Sequence, residues 1–158
     1  YCSLKFRPGS GNYIDPKVGS ACALPLMRVE EMYFIEAEAK AHANPAEGKA
    51  LLESFMQQNR YASYRCNASS EEDVIEEIIL QKRIELWGEG QSFFDIKRLN
   101  MSVIRAYDGS NYSPAQRYNT NGRPAWMNFC IVRSEGNNNK GVVGYNNPSP
   151  EGAYVAIK

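Results

Sequence analysis

Two glutamates, Glu85 and Glu89, have the spacing in this sequence that most suggests catalysis. On a helix, residues four positions apart lie on one face, so the two carboxylates could share a proton or a metal ion. Glycosidases use paired carboxylates in this way. The surrounding stretch, however, holds as many basic as acidic groups and supplies no histidine or nucleophile. We therefore favour a structural lattice of ion pairs at a helix corner, formed by Arg83, Glu85, Glu89, Asp95, Lys97 and Arg98.

A metal site or cofactor is not expected. Glu38 and His42 are also four positions apart, but they have no HExxH pattern and no third ligand nearby. A histidine near a helix end more often interacts with the last carbonyls of that helix. The cysteines have no CxxC spacing, and both a disulfide such as Cys2–Cys22 and scattered buried thiols are consistent with them: Cys2, Cys22, Cys66 and Cys130.

Three aromatic residues in the last third of the chain are candidates for ligand binding. Tyr112, Tyr118 and Trp126 lie among asparagines and arginines. Sugar rings have apolar C–H faces and a rim of hydroxyls, so a flat aromatic ring beside amide and guanidinium groups would suit them. Contact with the rest of a larger protein is the competing interpretation for most of these rings.

Two helices are predicted upstream of these aromatics. The first covers 26–43, with one apolar face made of Val29, Met32, Tyr33, Ala37 and Ala41. Asn44 followed by proline should cap the second helix, over 45–61. From residue 28 to residue 61 the pair spans 34 residues, the period of a tetratricopeptide unit. Because a lone hairpin cannot bury its apolar face, stacked neighbours are expected.

A third helix is expected behind Ser69, where Ser69-x-x-Glu72 matches a capping box. A glycine corner at Gly88 and Gly90 should end it, and a short helix should follow to residue 99. The apolar residues of the third helix recur at helical spacing: Val74, Ile75, Ile78, Ile79 and Leu86.

After residue 99 the composition changes to asparagine, glycine, serine, tyrosine and proline. Only 126–132 is typical of a strand or buried extended segment, with weaker candidates at 142–145 and 154–157. We predict a mainly α fold of tetratricopeptide-like helix hairpins, with a long irregular tail carrying at most short strands. The whole of 1–158 is expected to form one domain, divided into a lead-in (1–26), a helical part (27–99) and the tail (100–158).

Charge and hydropathy exclude some partners. The sequence has 18 basic and 18 acidic residues, which argues against a nucleic-acid partner held by bulk electrostatics. No apolar run approaches the roughly 20 residues that a membrane-spanning helix needs.

Two segments together resemble one family. The first has the pattern R-x-x-E-x-Y-x-x-x-A-E-A, from Arg28 through Glu31 and Glu38 to Ala39. The second has the pattern R-I-E-L-x-x-E-G-x-x-x-F-D-x-K-R, from Arg83 to Arg98. In this order they are similar to the C-terminal part of SusD-like (RagB/SusD) nutrient-binding proteins. The segment 131–135 resembles the closing I-P-x-S-E of that family, with valine in place of proline.

The resemblance implies tetratricopeptide-like helix pairs in a surface lipoprotein of Bacteroidetes-type bacteria. Such proteins are held on the outer membrane by a lipidated N-terminal cysteine, cap a TonB-dependent (SusC-like) transporter, and bind glycans or other nutrients without catalysis. They are several times longer than this chain, which we therefore expect to be a C-terminal piece without the anchor. The alternative is a tetratricopeptide-like protein–protein interaction module that does not bind sugars.

Overall fold

Five α-helices follow one another within residues 5–6 and 22–147, which the computed structural model describes. They are α1 (Val29–Ala43), α2 (Pro45–Asn59), α3 (Glu71–Glu85), α4 (Gln91–Arg98) and α5 (Arg133–Asn138), with short 3₁₀ turns at Pro114–Gln116, Ala125–Met127 and Lys140–Val142. This confirms the mainly α fold with helix hairpins and an irregular tail. No described helix has the length and apolar character needed to cross a membrane.

The contacts divide the chain into two units, Tyr1–Glu89 and Gly90–Lys158. In the first unit α1, α2 and α3 pack on one another. The second unit holds α4, α5 and the tail. The expectation of one domain over 1–158 stays a prediction, and the candidate strand at 154–157 lies outside the described residues.

Asn44 organises the turn between α1 and α2, as its sequence context predicts. Its side-chain oxygen accepts from the Ala46 N–H at 3.1 Å, and its amide donates to the Glu47 carboxylate at 3.1 Å. Pro45 occupies the first helical position, where its missing N–H leaves no bond unmade. The two helices can therefore reverse direction across a single residue.

Small residues let α1 and α2 approach closely. A Cβ added to Gly48 would lie 2.5 Å from the Ala41 Cβ and 2.6 Å from the Ala37 carbonyl oxygen, so only glycine fits. The core of the unit forms around this contact from Phe34, Ala37, Ala41, Leu52, Phe55, Cys66, Val74 and Ile78.

The predicted apolar face of α1 is wrong for its first half. Phe34, Ala37, Glu38 and Ala41 are the buried residues of this helix. Val29, Met32 and Tyr33 are 63%, 51% and 51% exposed. Ala37 and Ala41 belong to both the predicted and the observed buried sets, and both lie against Gly48 of α2. Phe34 is three positions before Ala37 and therefore lies on the same side of the helix.

The start of α3 also differs from the expectation by one residue. Ser70, not Ser69, is the cap, and its hydroxyl accepts from the Asp73 N–H at 3.1 Å. The acids of the first turn favour either register electrostatically, so the sequence pattern alone could not separate the two serines. The predicted apolar stripe is confirmed, since Val74, Ile78, Ile79 and Leu86 are all buried.

The second unit is held by hydrogen bonds of loops rather than by a sheet. An isolated antiparallel bridge joins Ile104 to Asn119. The prediction of a strand or buried extended segment over 126–132 is wrong: a 3₁₀ turn covers Ala125–Met127, and Phe129 is 93% exposed. Its backbone groups find partners in side chains instead, such as the amide of Asn147, which donates to the Phe129 carbonyl at 2.5 Å.

Candidate functional site

Two of the three aromatic residues proposed from the sequence as ligand-binding contact one arginine in the second unit, and the third packs on one of those two rings. The guanidinium carbon of Arg105 lies 5.1 Å from the ring centroid of Tyr112 and 4.9 Å from that of Tyr118. Its Nη1 also donates to the Tyr118 hydroxyl at 2.7 Å. The rings of Tyr118 and Trp126 stand at 88° with centroids 5.7 Å apart. We call Arg105, Tyr112, Tyr118 and Trp126 the aromatic cluster.

Backbone pairing between two stretches of the tail places Arg105 beside Tyr118. The Arg105 N–H donates to the Tyr118 carbonyl at 3.2 Å, and the Thr120 N–H donates to the Val103 carbonyl at 3.0 Å. The side-chain oxygen of Asn119 accepts from the N–H groups of Arg105 and Ala106 at 2.9 and 3.0 Å. Asn119 thus extends the pairing that a single bridge begins.

The loop between these stretches also brings Tyr112 against the guanidinium. Arg117 donates to the carbonyls of Tyr112 and Ser110 at 2.7 and 2.6 Å. The Ser110 hydroxyl donates to the Arg105 carbonyl at 2.7 Å. The loop is therefore tied both to itself and to the backbone of the arginine that it covers.

The aromatic cluster combines partly exposed aromatic rings with a guanidinium group. Tyr112 is 40% exposed, Arg105, Tyr118 and Trp126 are partly buried, and Arg105 brings a rigid fork of donors to the rings. Cation–π contacts also stabilise the loop by about 0.5–1 kcal/mol each. The same contacts therefore hold the rings in fixed positions before any ligand arrives.

The acidic corner lies in a network of ion pairs in the first unit. Arg60 forms a bidentate ion pair with the Glu85 carboxylate, with Nε 2.6 Å from Oε2 and Nη2 2.7 Å from Oε1. Arg28 also bonds the Glu85 carboxylate, and its Nη1 donates to the Glu85 carbonyl at 3.0 Å and to the Glu89 carboxylate at 2.9 Å. Lys5 bonds Glu89 as well. Glu30 pairs with Arg28 at 2.9 Å and with Arg60 at 3.5 Å. We call this set the corner network: Lys5, Arg28, Glu30, Arg60, Glu85 and Glu89.

These partners keep both carboxylates of the corner ionised. The hydrogen bonds from Arg60, aided by Arg28 and opposed by burial, lower the pKa of Glu85 to about 2. Burial alone would raise the pKa of Glu89, but hydrogen bonds from Lys5 and Arg28 outweigh it and lower that pKa. A general acid needs a raised pKa. The arrangement therefore favours structure over acid catalysis.

The other charged residues of the sequence motifs are distributed along the helices. Asp95 is buried and pairs with Arg98 at 2.8 Å. Arg83 is exposed, Glu31 is half-buried, and the Lys97 carbonyl accepts from Arg123 at 3.3 Å. Their structural role stays a prediction.

The candidate metal-ligand pair of α1, Glu38 and His42, has a third neighbour, because the carboxylate of Glu71 in α3 bonds His42. Glu38 is buried, and its Oε1 is 3.9 Å from His42 Nε2, while Glu71 lies 2.9 Å from His42 Nδ1. Among the described residues, no group of three possible ligands gathers around a metal-sized space. No disulfide joins Cys22, Cys66 and Cys130 to one another, and Cys2 lies outside the described residues.

Two positively charged members of these sites were missed by the sequence analysis: Lys5 lies in the irregular lead-in, and Arg105 lies in a tail that has no regular element. Arg60 follows Asn59 in a loose match to the N-x-x-R region of SusD-like proteins, but that match does not predict its ion pairs. For Arg105, a signal was present in the nearby tyrosines, but nothing in the spacing fixed which arginine they would meet.

Comparisons with known proteins agree with the helical architecture. The family model of the SusD family matches residues 1–154. A crystal structure of a SusD-like carbohydrate binding protein from Bacteroides vulgatus ATCC 8482 is 30% identical, with a TM-score of 0.58. That match covers 77% of this chain and 30% of the other, so this chain spans about a third of the solved protein's length. No curated protein matches. The match over nearly the whole sequence, together with the shared fold, shows that this chain belongs to the SusD family.

Proposed function

We propose that the chain is part of a non-catalytic glycan-binding protein, and that the aromatic cluster contacts the glycan. The observation that carries this proposal is the contact of Arg105 with both Tyr112 and Tyr118, with Trp126 against the second ring. The ring of Tyr112 offers a face for sugar C–H groups, and the guanidinium offers donors for ring and hydroxyl oxygens. The carbohydrate-binding relative in the same family supports a sugar as the ligand.

The absence of catalysis is supported by the corner network. Glu85 and Glu89 are the carboxylate pair best spaced for glycoside hydrolysis, and both are bonded to cations that hold their pKa values low.

Binding is tested by isothermal titration of the chain against a panel of plant and host oligosaccharides. We expect heat with at least one of them, and weaker binding in a Tyr112→Ala variant. Tyr107→Ala is the matched control, because Tyr107 is 56% exposed in the same unit and outside the cluster. Equal loss in both variants, or hydrolysis of a bound sugar, would contradict the proposal.

We further propose that the whole protein works on the outer-membrane surface as a lipoprotein, together with a TonB-dependent transporter. Family membership supports this assignment. Gentle detergent extraction of outer membranes and affinity capture of the whole protein should recover such a transporter in a defined ratio. Recovery of a different partner, with no heat from any sugar, would favour the tetratricopeptide-like interaction module instead.

A further inference from the structure

A cavity of about 180 Å³ opens between α1 and α2 in the first unit, built from residues that the aromatic cluster does not use. Its walls mix aromatic and polar side chains in a groove open on one side. We call it the hairpin groove, and its lining is Tyr33, Glu36, Leu51, Ser54, Phe55, Gln58 and Asn59.

A pair of aromatic rings forms the apolar wall of the groove. The ring centroids of Tyr33 and Phe55 are 5.3 Å apart, and the two ring planes are tilted by 31°, within the separation at which aromatic pairs attract each other. Phe55 is buried, whereas Tyr33 is 51% exposed. The core therefore fixes one ring, and this ring supports the second, which faces the open side.

The rim of the groove carries acceptors for hydroxyl groups. Gln58 donates its amide to the Ser54 hydroxyl at 3.0 Å, and Asn59 donates its amide to the Phe55 carbonyl at 2.9 Å. These bonds fix the two amide groups and leave their carbonyl oxygens as acceptors. The carboxylate of Glu36 is exposed and makes no ion pair with any residue in the described part of the chain.

The charge and the size of the hairpin groove limit which ligands it can hold. Glu36 is the only charged residue of the lining, which disfavours an anionic ligand. The neighbouring cation, Arg60, is bound to Glu85. Pockets for drug-sized ligands are about 300–1,000 Å³. The volume of the hairpin groove, about 180 Å³, lies below that range and suits one sugar ring.

We propose that the hairpin groove is a second carbohydrate subsite, which takes a single uncharged pyranose unit. The sugar stacks its C–H face on Tyr33 and donates its hydroxyls to Glu36 and to the carbonyl oxygens of Gln58 and Asn59. This inference rests on the proposed carbohydrate function, but it uses a different set of residues.

The test is an NMR titration of the ¹⁵N-labelled chain with the methyl glycosides of glucose, galactose and mannose. Binding of any one should shift the side-chain amide signals of Gln58 and Asn59 with a saturating, concentration-dependent curve. Absence of such shifts with all three glycosides at concentrations well into the millimolar range would overturn the proposal.

Matched variants separate binding from folding. Tyr33→Leu keeps an apolar side chain but removes the flat face. Gln58→Ala changes an exposed residue and should leave the fold intact. Each should weaken binding about tenfold, the loss expected when one contact of this kind is removed. Tyr61→Leu is the control, because Tyr61 is an exposed tyrosine that is not part of the groove lining. Equal affinity in Gln58→Ala and the unaltered chain would contradict the assignment.

This experiment tests the two sugar-binding proposals separately, so that one can be refuted while the other stands. Trp126→Ala should abolish oligosaccharide-induced shifts around the aromatic cluster and leave the monosaccharide shifts at Gln58 unchanged. If oligosaccharides shift the cluster while no glycoside shifts the groove, only the hairpin groove is refuted. If glycosides shift the groove and no oligosaccharide shifts the cluster, only the cluster is refuted.

Discussion

Arg60 and Glu85 join the ends of α2 and α3 by a two-pronged ion pair, with nitrogen–oxygen distances of 2.6 and 2.7 Å. The planar guanidinium matches the planar carboxylate, so both bonds form without bending either group. Arg28 reaches the same carboxylate from the start of α1. One acidic side chain thus connects three helices.

Replacing Arg60 by lysine should weaken this connection while keeping its charge. Lysine has no fork and can make only one of the two bonds. Because Arg60 is 37% exposed, we expect the free energy of unfolding to fall by only about 1 kcal/mol. Urea denaturation measures the change. Arg83→Lys is the control, since Arg83 is exposed and has no ion pair among the described residues; an equal loss there would contradict the prediction.

The low pKa of Glu85 predicts a loss of stability in acid. The ordinary pKa of a glutamate in the unfolded chain is about 4.3, and the native pKa is about 2. The stabilisation that ionised Glu85 contributes is therefore fully present above its unfolded-state pKa. It is lost as the pH falls from about 4.3 towards 2. After allowance for solvent screening, it amounts to about 2 kcal/mol at neutral pH.

Denaturation in urea between pH 6 and pH 2 tests this pH dependence, because that interval covers the range of about 4.3 to 2 over which the stabilisation is lost. In Glu85→Gln the slope of stability against pH over that range should become shallower, since one titrating carboxylate has been removed. Glu76→Gln replaces an exposed carboxylate of the same helix and should leave the slope unchanged. Identical slopes in the two variants would count against the network.

Gly48 should not tolerate even a methyl group. Its added Cβ would meet the Ala41 Cβ at 2.5 Å, so α1 and α2 would have to separate. We expect Gly48→Ala to destabilise the chain by about 1–3 kcal/mol, although alanine has the higher helix propensity. Gly136→Ala provides the comparison, because it lies in α5 with nothing within 4 Å of an added Cβ. Thermal unfolding of both variants should separate them clearly, and equal midpoints would refute the steric argument.

The cap of α3 predicts a difference between two adjacent serines. Ser70→Ala removes the acceptor for the Asp73 N–H and should destabilise the chain by about 1 kcal/mol. Ser69→Ala should have little effect, since Ser69 is exposed and outside the cap. Chemical denaturation of the two variants under one condition measures the difference. A larger loss of stability in Ser69→Ala than in Ser70→Ala would instead support Ser69 as the cap.

Arg105→Met should disorganise the aromatic cluster and reduce oligosaccharide affinity about tenfold or more, since a cation–π contact and a hydrogen bond are lost. The sequence has two tryptophans, so Trp87→Phe leaves Trp126 as the only indole reporter. In that background, the Trp126 emission should change on addition of sugar, and Arg105→Met should abolish the change. Arg133→Met, at an exposed arginine of the same unit, should preserve it.

The helices were largely predictable because their signals are local. Asn44 and Pro45 lie next to the groups that they cap, and the stripe of Val74, Ile78 and Ile79 repeats within two turns. The start of α1 was less predictable. Burial of Phe34 instead of Met32 reflects which side of α1 packs on α2, where Ala37 and Ala41 lie against Gly48.

The candidate sites could be predicted only in part because their members are brought together by tertiary structure. The rings of Tyr118 and Trp126 were recognisable as ligand-binding types. Arg105 joins them through backbone pairing across 13 positions. In the corner network, Glu85 and Glu89 carry a strong local pattern, whereas Arg60 is recruited from the end of α2. The spacing of residues along α3 does not show that Glu85 will pair with an arginine at the end of another helix.

The corner network also has a consequence for the order of folding. The contacts of α1 with α2 span a short turn, but Arg28 and Glu85 are 57 positions apart, and Lys5 and Glu89 are 84 apart. Closing loops of that length is entropically slow, so the hairpin can form first and the network last. Contacts absent from the transition state act on the rate of escape from the native state. The ion pairs of the corner network are therefore expected to slow unfolding, which prolongs the lifetime of the folded unit without speeding its folding.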